Sequence, residues 1–142
     1  MESAESRPNE GPSPLGASSD PRQLIALAAD TVAVFALALI GRWSHSEGLS
    51  FGEVFNTAVP FLAGAYLTHL LIVRYFDPTS VLKAGLSVWL GTWAVGMFGR
   101  LFMGQTNAVA FMAVSAGFLL ATMLGWRLIY TLLRKRGANP RD

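Results

Sequence analysis

Three ionisable residues stand inside otherwise apolar stretches of this sequence: Asp30, His69 and Arg127. A charge near the centre of a bilayer costs about 2.5 to 3.5 kcal/mol on insertion scales, so such a group is a functional candidate by default. Counted along their helices at 1.5 Å per residue, Asp30 lies about 12 Å, His69 about 7 Å and Arg127 about 10 Å from the same end of the molecule, which places all three in one leaflet. A carboxylate with a guanidinium at that depth could exchange protons or bind a cation, with the arginine setting its acidity. The same residues could equally form a structural pair tying the first helix to the last, or Arg127 could snorkel to the headgroups. His69 has the further ordinary use of a helix-to-helix hydrogen bond. A second group gathers toward the opposite end: Arg42, Ser44, His45 and Glu47 fall within six residues, and Arg100 and Gln105 stand at the next connection on that side. His45 and Glu47 could bind a metal or move a proton, but two ligands do not make a metal site and no third is evident. Arg42, His45, Glu47, Arg100 and Gln105 form the candidate outer-face set, with Glu47 expected to pair with Arg42 or Arg100 and Glu53 expected to be engaged by its cap at Ser50.

The elements that position these residues follow from hydropathy. Of 142 residues, 52% are hydrophobic and only 14% charged, an unusual balance for a water-soluble domain of this size. The apolar residues form four blocks, about 23–40, 54–73, 81–98 and 108–133, each long enough to cross a hydrocarbon core of ~30 Å. The expected fold is therefore all-α: a polytopic integral membrane protein built as a four-transmembrane-helix bundle over 22–133. A disordered cytoplasmic tail over 1–21, rich in Pro, Ser, Gly and Glu, precedes it, and a basic cytoplasmic tail over 134–142 follows.

Local signals set the helix ends. Asp20-Pro21 has the order of an N-cap and first turn, Gly41 closes helix one, and Ser50 with Glu53 has capping-box spacing. Pro60 falls inside helix two, where it frees a carbonyl and favours a kink. Asp77-Pro78-Thr79-Ser80 is a tight turn with a cap for helix three, and Gly104-Gln105-Thr106-Asn107 is the last turn. Helix four carries Ala113, Gly117, Ala121 and Gly125 at a spacing of four, a face that lets a neighbouring backbone approach closely. Packing inside the monomer is the expected use of that face, and a homodimer seam is the alternative. Trp89 and Trp93, one turn apart, read as bundle core or lipid-facing aromatics rather than a cofactor cage.

Orientation follows from basic residues. Arg7, Arg22, Arg74, Lys83, Arg134, Lys135, Arg136 and Arg141 lie on one side, against Arg42 and Arg100 on the other. By the positive-inside rule both termini are cytoplasmic, giving a multi-pass protein of the cell membrane, in bacteria the plasma membrane. The first block is read as an uncleaved helix rather than a secretory signal, because Asp30 interrupts it and no small-residue cleavage site follows.

Composition also excludes. There are no cysteines, hence no disulfides, thiolate metal sites or cysteine nucleophiles, and with a net charge of +2 no basic face suits nucleic acid. No glycine-rich phosphate loop, serine elbow or usefully spaced carboxylate pair is present, so no catalytic residue, metal or cofactor is assigned and an enzyme is the lesser expectation. The partner expected is the lipid bilayer, a second copy of the chain is the alternative use of the α4 face, and a small-molecule ligand is unknown.

The run Gly41-Arg42-Trp43-Ser44-His45-Ser46-Glu47-Gly48 is the most distinctive in the sequence. With Pro60-Phe61, Trp89-Leu90-Gly91-Thr92, Gly96-Met97, Arg100, Gln105 and Gly125-Trp126-Arg127, it resembles domain of unknown function family 3054, over about residues 24 to 130. The third turn departs from the pattern, with Thr106 where the family has a further glycine. The resemblance implies a small four-helix membrane protein, of a kind found chiefly in actinobacteria and haloarchaea, and implies no activity. It directs attention to the Arg42–Gly48 loop, Arg100, Gln105 and Arg127 as a set. Two functions compete: a transporter-like or ligand-binding bundle using Asp30, His69 and Arg127, and a non-catalytic membrane component assembling through the small-residue face of helix four.

Overall fold

A computed structural model of the chain describes residues 20–72 and 75–138. The expected N-terminal tail, Arg7, Arg74, Arg141 and the last four residues fall outside them, but for Asp20 and Pro21 of that tail. The described residues form four helices, α1 (Pro21–Ser44), α2 (Phe51–Ile72), α3 (Lys83–Phe102) and α4 (Val109–Gly137), with no strand among them. Each helix packs against its neighbours in the chain, and α4 closes the ring against α1. The order is up-down-up-down, so the α1–α2 and α3–α4 connections share one end and the α2–α3 connection lies at the other.

Helix ends follow local chemistry. Asp20 accepts the Arg22 amide at 3.0 Å with Pro21 in the first turn. The Ser50 hydroxyl and amide both donate to Glu53 Oε2, at 2.8 and 3.3 Å, and the Glu53 amide returns to Ser50 Oγ at 3.4 Å, the reciprocal box that starts α2. Ser80 Oγ accepts the Ala84 amide at 2.9 Å ahead of α3. Gly104 turns the chain at φ +72°, a conformation that L side chains rarely adopt. α1 runs three residues past Gly41 to Ser44, and α4 continues through the basic run to Gly137, so neither the glycine nor the charges end the helix where apolarity does.

The interfaces differ in what they are made of. α2 and α3 approach through glycine: a Cβ on Gly64 would stand 2.9 Å from the Gly91 carbonyl, one on Gly91 would meet the Thr68 hydroxyl, and one on Gly99 would stand 2.7 Å from Pro60 Cβ. Pro60, inside α2, thus lies against the glycine face of α3. α3 and α4 are held further apart by indoles, Trp89 donating to Ala116 O at 2.8 Å and Trp93 to Met112 O at 3.2 Å. Between the helices lies an apolar core that includes Val34, Leu37, Phe61, Val88, Leu119 and Met123.

α1, α2 and α4 are long and apolar enough to cross a membrane. α3 is not among them: it holds Lys83 and Arg100, and Gly85, Gly91, Gly96, Gly99, Ser87 and Thr92 add little hydropathy. Several of those residues serve close packing instead.

The small-residue face of α4 does not pack inside the monomer, contrary to the sequence expectation. Ala113, Gly117 and Ala121 are exposed, and nothing stands within 4 Å of a Cβ built on Gly117 or Gly125. The buried residues are Ser115, Leu119, Met123 and Arg127, also spaced by four but offset by two positions. Two positions are about 200° of helix rotation. Turning Arg127 toward its acidic partner therefore turns the small residues outward.

Candidate functional site

The buried polar set converges on Asp30. Arg127 grips it with both terminal nitrogens, Nη1 to Oδ1 at 2.9 Å and Nη2 to Oδ2 at 2.7 Å, a bidentate pair with both residues 0% exposed. His69 Nε2 lies 2.8 Å from Oδ2 and Trp126 Nε1 donates to Oδ1 at 2.8 Å. The rest of the guanidinium is used as well: Nε donates to Pro78 O at 3.1 Å and Nη1 to Met123 O at 2.7 Å, while the Trp126 ring stands 4.5 Å from Cζ. One carboxylate thus ties α1 to α2 and α4, and the arginine adds the α2–α3 turn. Arg127 does not snorkel, since its head is enclosed and paired. Its neighbour Gly85 leaves the room, because a Cβ there would stand 3.3 Å from Arg127 Cδ. Each carboxylate oxygen thus has two partners among the described residues. Among the described residues, two buried side-chain atoms have no hydrogen-bond partner, His69 Nδ1 and Thr92 Oγ1.

The sequence pointed to Asp30, His69 and Arg127 but not to Trp126 as a fourth member. Its signal was present in Gly125-Trp126-Arg127, although an indole beside an arginine does not by itself reveal that both reach one carboxylate.

At the other end, the α1–α2 and α3–α4 connections enclose a cleft of about 560 Å³ whose walls include Arg42, His45, Glu47, Arg100 and Gln105. The five outer-face residues thus share one cavity. Its floor is apolar, supplied by Leu37, Phe61 and Phe111, and Asn56 and Thr57 add polar groups.

The two arginines are differently committed. Arg42 is spent on its own neighbourhood: Nη1 lies 3.2 Å from Glu47 and 3.3 Å from Thr57 Oγ1, Nη2 lies 3.5 Å from Glu53, and Nε donates to Gly48 O at 2.6 Å. Glu53 therefore does more than cap α2, because its second oxygen reaches Arg42. Arg100 has no carboxylate partner among the described residues. Its Nε donates to Asn107 Oδ1 at 3.0 Å and Nη2 to Thr106 O at 3.1 Å, and Cζ lies 4.2 Å over the Phe111 ring. Asn107 is in turn fixed by its amide, which donates to Met97 O at 2.9 Å. The half-buried guanidinium is held still, stacked on an aromatic face and left positive beside an open cavity. Among the described residues no cluster of three or more His, Asp or Glu suits a metal ion.

A smaller cleft of about 400 Å³ at the first end is lined by Asp77, Tyr130, Arg134 and Lys135 among others. The Thr79 hydroxyl, 2.6 Å away, is the main cause holding the Asp77 carboxylate below its ordinary 3.8, with Arg22 at 3.1 Å adding to it. Neither cleft is lined by Asp30, His69 or Arg127.

The model of the family described as Protein of unknown function (DUF3054) matches residues 27–130. The chain belongs to that family. No curated protein and no solved structure matches it. The matched stretch holds both polar constellations, from Asp30 to Arg127 and from Arg42 to Gln105, so the tie and the outer cleft both lie within the DUF3054 region. The basic run of α4 lies beyond it.

Proposed function

We propose that this DUF3054 protein is an integral membrane protein whose four helices all cross the bilayer and whose outer cleft binds a small solute. The observation that carries the reading is Arg100: a positioned, half-buried cation with no acidic partner among the described residues, facing a cavity of about 560 Å³. Pockets of roughly 300 to 1,000 Å³ with an apolar lining and a few fixed polar groups are the usual form of small-molecule sites. Asp30, His69 and Arg127 serve here as the structural tie that holds the helices at the angle the cleft needs.

Crossing by α3 is supported by its place. It runs antiparallel to and in glycine contact with α2, so a bilayer spanned by α2 also contains α3, whose 20 residues measure about 30 Å. The basic residues at the opposite end favour cytoplasmic termini, an outward-facing cleft and the plasma membrane as its location. The purified protein in detergent, screened against small organic acids, bases and neutral solutes, should gain thermal stability from at least one compound. Asn56→Trp, which fills the cleft from an exposed position, should remove that gain. A screen in which no compound distinguishes parent from variant rejects the reading.

The outward face of α4 favours a second reading that is compatible with the first: two copies meeting along Ala113, Gly117 and Ala121. A dimer would leave Ala121→Cys efficiently cross-linked in native membranes, and a monomer would leave it single.

A further inference from the structure

The walls of the outer cleft carry more than one sign of charge, and their distribution restricts what can enter. On one side, Glu47 and Glu53 both sit on Arg42, so two negative charges share one positive. On the other, Arg100 spends Nε on Asn107 and one Nη2 contact on Thr106, neither of which is charged. Glu47 acts on Arg100 only at a distance, since its carboxylate is held by Arg42 at 3.2 Å. Leu37, Phe61 and Phe111, also on the wall, offer hydrocarbon, with the Phe61 and Phe111 rings edge to face at 6.3 Å. Gln105, also on the wall, supplies an amide that can donate to an oxygen or accept from one.

Resting on the cleft reading above, we propose that the solute is a small organic monoanion with an apolar or aromatic body, a monocarboxylate in its simplest form. Its head meets the N–H groups that Arg100 has left, on Nη1 and the second of Nη2, and its body lies against Phe61 and Phe111. A planar carboxylate matches the guanidinium fork. A single negative charge fits better than two, because a second would lie toward the acids grouped on Arg42. A cation is disfavoured, because it would meet the Arg100 guanidinium, whose hydrogen-bond partners Asn107 and Thr106 carry no charge to offset it. Inorganic phosphate would leave the apolar floor uncovered and bring excess charge.

Isothermal titration calorimetry of the full chain in detergent, with benzoate, benzamide, benzylamine and inorganic phosphate as probes, tests this directly. Benzoate should bind the parent, with benzamide, benzylamine and phosphate each at least tenfold weaker. Arg100→Gln should weaken benzoate at least tenfold, Arg100→Lys should restore part of it, and Asn56→Trp should abolish it. The comparison of benzoate with benzamide on the parent stands even if an Arg100 variant fails to fold. Equal binding of benzoate and benzamide, lost in Asn56→Trp, overturns the monoanion while leaving the cleft in place. Tighter binding of phosphate or benzylamine overturns it likewise. Absence of binding by all four overturns the monoanion class, and only a null in the broad thermal screen would remove the cleft as well.

Discussion

Breaking the Asp30–Arg127 pair should cost more than removing it. The two residues are 0% exposed and joined by two hydrogen bonds of 2.9 and 2.7 Å, so each single change leaves a charge in an environment that cannot solvate it. In Asp30→Asn, the guanidinium keeps Pro78 O and Met123 O but loses its counter-charge. In Arg127→Gln, the carboxylate keeps His69 and Trp126, each at 2.8 Å. Breaking a buried pair by removing one partner costs about 3 to 5 kcal/mol, whereas removing both spares the uncompensated charge. Arg127→Gln should fall at the lower end of that range, because two partners of the carboxylate remain. The double variant should cost less than the sum of the singles by about 2 kcal/mol or more, since groups within one network couple by about 0.5 to 3 kcal/mol. Equilibrium unfolding by sodium dodecyl sulfate in mixed micelles would give the three values. Additive effects of the singles would refute the shared, solvent-excluded pair.

Close approach of α2 and α3 predicts that Gly64→Ala costs about 1 to 3 kcal/mol, since the new Cβ meets Gly91 and Thr92 backbone at 2.9 and 3.0 Å. Gly117→Ala, with nothing within 4 Å, should be neutral or stabilising in the same unfolding assay. A thiol-free parent makes topology direct to measure: cysteines replacing Ser46 and Thr106 should react with an impermeant maleimide on intact cells, and one replacing Ala138 only after lysis. At the α2–α3 turn the Asp77 carboxylate is held low chiefly by the Thr79 hydroxyl, so its bonds stabilise the fold above its ordinary 3.8 and are lost as pH falls through the lower folded value. Thr79→Val should therefore be less stable than the parent at pH 7, the gap closing as the solution is acidified below the ordinary carboxylate range.

Much of the architecture was legible because lipid-length apolar runs and short polar turns leave few alternatives. Asp20-Pro21, Ser50 with Glu53 and Ser80 are local signals, and each forms the bonds its spacing anticipates. The shared level of Asp30, His69 and Arg127 along the bundle was also legible, since a helix converts residue count into distance. What each helix turns toward its neighbours was not. The spacing of Ala113, Gly117, Ala121 and Gly125 marks a smooth face without saying which way it points, and the demand of Arg127 for Asp30 decided it. The glycines of α3 carry the closest packing but repeat irregularly, at Gly91, Gly96 and Gly99, so no single spacing announces them. The gathering of Arg42 and Arg100 at one end followed from connectivity, yet their unequal partnering depends on rotamers and on Asn107, which sequence does not encode locally.

The central claim is that the cleft beside Arg100 is open to the outside and takes up a small solute. Its most direct test is the rate at which a single cysteine replacing Gln105 reacts with an impermeant maleimide on intact cells, with and without the compound that best stabilises the purified protein. Labelling from outside that the compound slows severalfold is the expected result. A cysteine that reacts only after lysis, or at the same rate whatever is added, would contradict it.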